Sequence, residues 1–312
     1  MKKIIILRAQ GNELANQLWN YASIYAYTLQ RGYTLKNSSF FEYGAYFTMP
    51  SAPNLLFKTI FFLPFKNYTK RKTVLRRRIW RKIYTWYSNV IIRCHNDSII
   101  QSNDKLGEKY YLPPSTPPTI QLAKLEKSNS NIYFDGWLFR NPVGLEKYHI
   151  EIKKYLQPRK DIQGLVNKNI QYLRNTYSTI IGFHIRQGDY ATWRGGAYLI
   201  PQKRAREIMD EYLKVNNKNS NTICFAITSD GPIDKSLFAG LNIFVSKESA
   251  VHDLFFLAST DLIIGSNSTF GAFASYYGNI PLIVMEKGHM DWNYYRDKTK
   301  FFENKYSTFV NY

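Results

Sequence analysis

The sequence predicts an α/β protein built from two doubly wound, Rossmann-like domains. Three observations carry that reading. Residues 178–285 alternate short apolar runs with helix-period segments, the chain opens on another strand–helix pair, and Pro158 closes a helix between the two halves. Strands alternating with helices imply right-handed parallel crossovers in an open sheet. Two such domains facing a central crevice place ligands at the carboxyl ends of their strands.

In chain order, Ile4–Leu7 reads as a buried first strand and residues 14–31 as the helix after it. Residues 66–93 hold ten Lys or Arg and no acid, with Leu75, Ile79, Ile83, Trp86 and Val90 at three- and four-residue intervals. That spacing predicts a basic amphipathic helix. It has three readings: a helix packed on its own domain with solvated charges, docking on an anionic membrane, and, ranked last for want of a motif, nucleic-acid binding. The four prolines of 112–119 mark a loop. Residues 132–139 read as a strand and turn, and 145–156 as a helix that Pro158 ends. The domains are expected at 1–160, which carries the basic helix, and 161–312.

The second half reads as strand 178–186, helix 201–215, strands 222–229 and 241–245, helix 249–258, strand 261–265, helix 268–277 and strand 281–285. No internal repeat is evident.

Composition narrows the classes. The 312 residues are 45% apolar and 21% charged, a globular balance that excludes a fibre or a disordered tail. Two distant cysteines, Cys94 and Cys224, argue against a disulfide scaffold or a cysteine-based zinc site and suit a reducing compartment. No apolar run reaches the roughly 20 residues of a membrane span, and the N-terminal run is too short for a signal peptide. A cytoplasmic protein is expected. Against 23 acids stand 42 bases, a formal charge of +19, which suggests an anionic partner: a polyanion, a membrane surface or a phosphorylated substrate.

Four clusters can carry chemistry. After the first strand of the second half comes His184-Ile185-Arg186-Gln187-Gly188-Asp189-Tyr190. It sets an arginine fork suited to a diphosphate beside a glycine that permits backbone approach. A self-satisfied His–Arg–Asp network is the competing reading. Ser266-Asn267-Ser268-Thr269-Phe270 opens a helix, as a cap or as a phosphate site. Ser229 and Asp230 lie at a third strand end, where Asp230 can turn the chain or meet a ligand hydroxyl. Asp253 sits in an otherwise apolar helix and needs a partner, a guanine edge or a local arginine. The first βα turn, Gln10 to Gln17, is polar but lacks the glycine spacing of a dinucleotide fingerprint and the lysine of a P-loop. There is no D-x-D, no H-E-x-x-H and no G-x-S-x-G, so neither a metal centre nor a serine hydrolase is indicated.

Taken in order, these segments resemble a family. HIRQGDY resembles the H-x-R-x-G-D motif shared by the α-1,2-, α-1,6- and protein O-fucosyltransferases. GNELANQLWNYASIYAYTLQRGYTL resembles the G-G-L-G-N-Q-M-F-x-Y-A opening of glycosyltransferase family 11. FDGWLFRN is a looser echo of its G-Y-W-Q-S segment, and HDLFFLASTDLIIGSNSTFGAFASYYG resembles its D-L-x-x-M-S…N-S-S-F-S-W-W-G-A. The matches span residues 4–285, with nothing specific over 36–130.

The resemblance implies a GT-B fold, a GDP-β-L-fucose donor, no metal cofactor and inversion to an α-fucoside, most readily α-1,2. It makes 1–160 the acceptor-side domain and 161–312 the GDP-sugar domain. Arg186 then holds the pyrophosphate, His184, Gly188 and Asp189 shape the loop and contact the donor, and Asp253 reads the guanine. Asn267, Ser268, Thr269 and Phe270 line the phosphate and fucose, with Ser229 and Asp230 beside them and Asn16 approaching from the N-terminal domain. Inversion asks for a base opposite GDP. Glu13 is the first candidate, although family members commonly carry glycine there, and Asp189 is the second. Ala15 also replaces a glycine, and Gly271 to Tyr277 departs from S-W-W-G-A-W. Trp193 and Tyr198, in the segment after the motif, read either as a sugar-stacking acceptor wall or as a packed loop.

The expected partners are a GDP-sugar and a glycan or lipid-linked oligosaccharide acceptor in surface-polysaccharide synthesis, with peripheral contact at an anionic inner membrane face and no nucleic acid. The rivals are another nucleotide sugar or an α-1,6 or peptide acceptor, and, in a different class, a basic surface-binding protein with a degenerate sugar-nucleotide domain.

Overall fold

The computed structural model describes residues 3–8, 13–37, 39–40, 43–48, 71–103, 107–217 and 220–305. Residues 10–12 of the first βα turn and 66–70 of the basic segment lie outside them. The chain divides into two compact units, Met1–Arg159 and Lys160–Tyr312.

In the first unit β1 (Lys3–Arg8), α1 (Leu14–Arg31) and β2 (Thr34–Asn37) form one parallel crossover. After α2 (Arg71–Cys94) come β3 (Ile99–Gln101), β4 (Tyr110–Tyr111), α3 (Ile120–Lys127), β5 (Ile132–Asp135), β6 (Phe139–Arg140), α4 (Pro142–Lys147) and α5 (His149–Tyr155). The main sheet runs β2-β1-β5-β3, all parallel, with β4 and β6 paired apart. Ile4 and Ile6 of β1 are fully buried, as are Trp19, Tyr21 and Tyr27 of α1. Burial extends round nearly every face of α1, Gln17, Asn20, Ser23 and Thr28 included, which makes it a core element. Gly32 ends it in the left-handed region (φ 64), and its amide returns to Leu29 and Thr28.

The helix expected over 145–156 is two helices. Asn141 caps α4 by accepting the Gly144 amide at 3.0 Å, with Pro142 at the first position. Tyr148 then leaves helical geometry (φ −109) before α5 starts. The strand-and-turn reading of 132–139 resolves into β5, a turn at Gly136 (φ 124) and β6.

The second unit begins with α6 (Lys160–Arg174), which the sequence reading left unassigned. Ile162, Leu165, Val166, Ile170 and Leu173 recur at helical spacing along it, and Val166 and Leu173 are buried. There follow β7 (Thr179–Ile185), α7 (Gln202–Val215), β8 (Ile223–Ser229), β9 (Ile243–Val245), α8 (Ala250–Leu257), β10 (Leu262–Gly265), α9 (Thr269–Gly278), β11 (Leu282–Val284) and α10 (Trp292–Tyr295). The five-stranded parallel sheet runs β11-β10-β7-β8-β9. On one face Ala205, Ile208, Met209 and Tyr212 of α7 pack on Phe183, Phe225 and Ile227. Each such apolar side chain contributes about 1.5–3 kcal/mol on burial, which makes the sheet a rigid base for its loops.

The strand order fixes where a ligand can enter. From β7 the chain proceeds to β8 and β9 on one side, then returns to β10 and β11 on the other. The reversal lies between β7 and β10, and the loops leaving those two strands diverge there, the position at which open α/β sheets bind ligands. Among the described residues, no helix is long and apolar enough to cross a membrane.

Candidate functional site

Arg186 stands one residue beyond β7 at that reversal. Its amide donates to Ser266 Oγ at 3.0 Å, joining the β7 loop to the β10 loop. Its guanidinium is held by two carboxylates. Nε and Nη2 both lie 2.9 Å from Asp189 Oδ1, and Nε lies 3.2 Å from Asp230 Oδ2. The Tyr190 ring lies 5.7 Å from the guanidinium carbon, and the Tyr190 hydroxyl donates to the Asn267 carbonyl at 2.7 Å. Both fixed nitrogens lie on one side of the fork, and Nη1 makes no hydrogen bond to the described residues, so a phosphate can use it.

Asp230, at the end of β8, organises the loop. Its Oδ1 accepts the amides of Gln187 at 2.7 Å and Gly188 at 3.3 Å. A Cβ on Gly188 would stand 2.6 Å from Asp230 Oδ2, so the close approach requires glycine. Gln187 extends the network. Its Nε2 donates to Ser229 Oγ at 2.9 Å and to the Pro232 carbonyl at 3.0 Å, while its Oε1 accepts from Gln202 at 2.9 Å.

His184 is buried beneath the loop. Its ring stacks on Phe270 with centroids 4.9 Å apart, and Nδ1 pairs with Thr228 Oγ1 at 3.3 Å. Nε2 is buried and has no hydrogen-bond partner among the described residues. Burial, seconded by the Arg186 charge, lowers its pKa to about 4, so the ring is neutral at physiological pH. Ser268 caps α9 by accepting the Phe270 amide at 3.2 Å. Thr269 and Phe270, half-buried, are the first residues of that ten-residue helix. A helix start of this kind favours an anion through its dipole.

Asp253 lies at the start of α8, in the same unit. It accepts from Ser246 Oγ and contacts His252 Nδ1 at 3.3 Å. His252 Nε2 in turn meets the Asn169 amide nitrogen at 3.2 Å. Burial raises the Asp253 pKa. Its partners are a serine and a histidine, and no arginine is among them. Ser246 follows β9, so Asp253 stands at the carboxyl edge of the same sheet as Arg186, on the β9 side.

Trp193 and Tyr198 occupy two short turns after Asp189. Tyr190 and Trp193 stack at 5.5 Å and 19°, and Trp193 lies 5.0 Å from Tyr198. Arg194, in the left-handed region (φ 47), covers the Trp193 ring at 5.0 Å. The aromatics pack on one another, and Trp193 remains 38% exposed. Both features of the two readings, packing and an open ring edge, are present.

Glu13 and Asn16 belong to the first unit. Glu13 precedes α1 and accepts from the Tyr43 hydroxyl at 2.9 Å. Asn16 lies in the first turn of α1. Among the described residues, no group of three or more His, Cys, Asp or Glu side chains is arranged to hold a metal ion.

Gln202 and Ser246 were not singled out by the sequence, whereas Thr228 opens the strand-end cluster Thr228-Ser229-Asp230-Gly231. Gln187 and Tyr190 sit inside the quoted motif, which was a usable signal. Ser246 and Gln202 lie in unremarkable segments, and only the strand order brings them in.

Two parallel α/β units, the second with an arginine, two aspartates and a capped helix start at its switch point, define the GT-B class of fold. No family model matches the chain, and no curated protein sequence matches it. Solved structures do. NodZ α-1,6-fucosyltransferase of Bradyrhizobium, soaked with GDP-fucose, is similar at TM-score 0.53 and 15% identity over 93% of this chain and 98% of that one. A variant of Arabidopsis thaliana FUT1 in complex with GDP is similar at 0.52 and 13% over 92% and 72%. POFUT1 in complex with GDP is similar at 0.51 and 12% over 88% and 94%. At these identities the likeness is one of fold.

Proposed function

We propose that this protein is a fucosyltransferase that moves L-fucose from GDP-β-L-fucose to a sugar hydroxyl of a glycan. The observation that carries the reading is Arg186 at the switch point, fixed on one edge by Asp189 and Asp230, with Nη1 left for a phosphate and a capped helix start beside it. Three similar structures, NodZ α-1,6-fucosyltransferase soaked with GDP-fucose and FUT1 and POFUT1 in complex with GDP, support the donor class.

Transfer breaks the bond between the fucose anomeric carbon and the β-phosphate oxygen. Negative charge then grows on GDP. Arg186 and the amides at the start of α9 neutralise it, in a setting whose donors are oriented before reaction. On this reading the second unit binds the donor, Asp253 reads the guanine, and neutral His184 holds the loop floor. The first unit serves the acceptor, with Glu13 or Asp189 taking the acceptor proton. Trp193 and Tyr198 form part of the acceptor wall, and surface glycans or lipid-linked oligosaccharides are the acceptors. The family 11 motifs support α-1,2 linkage, inversion and independence of metal. A second reading, α-1,6 linkage, is favoured by the likeness to NodZ.

Calorimetric titration with GDP and UDP, in the presence of EDTA, tests the donor. Micromolar GDP affinity, much weaker UDP affinity and loss of both in Arg186→Ala are expected. No binding of either nucleotide would remove the donor assignment. Acceptor arrays with linkage analysis of the product then separate α-1,2 from α-1,6 transfer.

A further inference from the structure

The helix α2 has two unlike faces. Inward, Ile91 and Ile92 pack with Ile5 against Ile99 and Tyr133, and Tyr84 and Ser88 are buried. That satisfies the expectation of a helix packed on its own domain, for one face only. Outward, Ile83 is 43% exposed, Trp86 67%, Tyr87 36% and Val90 39%. These positions are i, i+3, i+4 and i+7, so at 3.6 residues per turn they form a single stripe. Cys94, also exposed, continues it one turn further on. Lys82 and Arg93, both exposed, flank the stripe on one side. The 24 residues of α2 hold eight Lys or Arg and no acid.

We propose that the outer face of α2 docks on an anionic lipid bilayer, with Ile83, Trp86, Tyr87 and Val90 entering the headgroup boundary and Lys82 and Arg93 meeting lipid phosphates. Charge complementarity selects this occupant. A second copy of the helix would set cation against cation across a stripe of four apolar residues, far short of the 20–30 residues a side of a stable interface. A nucleic-acid backbone would take the charges but offers no medium for Ile83 and Val90. A bilayer interface accepts both, and indole and phenol rings favour that depth. The inference does not depend on the donor or acceptor assignment, so failure of either leaves the other standing.

Cys94 supplies the probe, because the other cysteine, Cys224, is buried. The full-length protein is labelled there with an environment-sensitive fluorophore. It is titrated with vesicles of equimolar phosphatidylglycerol and phosphatidylcholine, and with pure phosphatidylcholine. A blue shift and co-sedimentation with the anionic vesicles alone are expected. The Trp86→Ser/Val90→Ser variant should bind those vesicles about tenfold more weakly or worse. Lys82→Glu/Arg93→Glu should bind more weakly with a shallower dependence on salt. Unchanged circular dichroism and melting temperature confirm that both variants are folded. The proposal is overturned by no binding, by equal binding to neutral vesicles, by a lipid-free dimer that Trp86→Ser dissolves, or by tighter binding to duplex DNA or RNA than to the vesicles.

Discussion

Asp230 holds Arg186 with one carboxylate oxygen, 3.2 Å from Nε, while its other oxygen accepts the Gln187 amide at 2.7 Å. The side chain that orients the cation therefore also shapes the loop that carries it. This coupling explains why Gly188 is required where its Cβ would strike Asp230.

Breaking the coupling should be felt in donor binding before stability. Asp230→Ala leaves two loop amides without their acceptor and Arg186 held by Asp189 alone. A hydrogen bond to a charged group is worth about 1.5–3 kcal/mol, so GDP affinity should fall about tenfold or more. Gly188→Ala should fall similarly, since it displaces the same carboxylate. Calorimetry reads both, and unaltered affinity in both variants would show that the loop does not touch the nucleotide.

Asp189 and Glu13 are separable as bases. Asp189 meets Arg186 from an exposed position, and such pairs contribute about 0–1 kcal/mol. A phosphate on Nη1 would share the guanidinium with the Asp189 carboxylate on Nε and Nη2, so Asp189→Asn should strengthen GDP binding a few-fold by removing a like charge. Glu13→Gln should lower turnover about 100-fold or more with GDP affinity intact. Wild-type turnover in Glu13→Gln together with a collapse in Asp189→Asn would move the base to Asp189. Initial rates with saturating donor decide between them.

His184 sets a pH dependence of stability. Its folded pKa, lowered to about 4, lies below the unfolded value of 6.5. Between those values the unfolded chain binds the proton and the folded chain does not. The stability contributed by neutral His184 is therefore full above pH 6.5 and declines as pH falls toward 4. Urea midpoints across that range should decrease in the wild type, and His184→Gln should lose that part of the slope.

Asp253 has the opposite sign. Burial raises its folded pKa, so its ionised form opposes folding at neutral pH and this cost fades on acidification. Asp253→Asn should leave the melting temperature unchanged or higher at pH 7. If the carboxylate reads guanine, the same variant should also lose the preference for GDP over UDP. A strongly lowered melting temperature would assign Asp253 to the Ser246–His252 network alone.

Much of the fold was legible in the sequence because its signals are local. Apolar runs of four to seven residues between helix-period segments specify βαβ crossovers, and Gly32, Asn141 and Ser268 carry chain-end chemistry that a reader can see. The period of α6 is a plain local signal too, with Ile162, Leu165, Val166, Ile170 and Leu173 on one face; the local signal misled where a cap intervenes, because Asn141 starts a helix of its own ahead of the one expected. The motif around Arg186 was visible as a string. Two of its partners were not, because Asp230 and Ser266 reach Arg186 through the order β10-β7-β8, and strand order arises from long-range pairing that no short window contains. The same holds for α2. Its charge and period are sequence properties, but only packing against Ile99 and Tyr133 decides which apolar stripe is buried and which, through Trp86, is left outside.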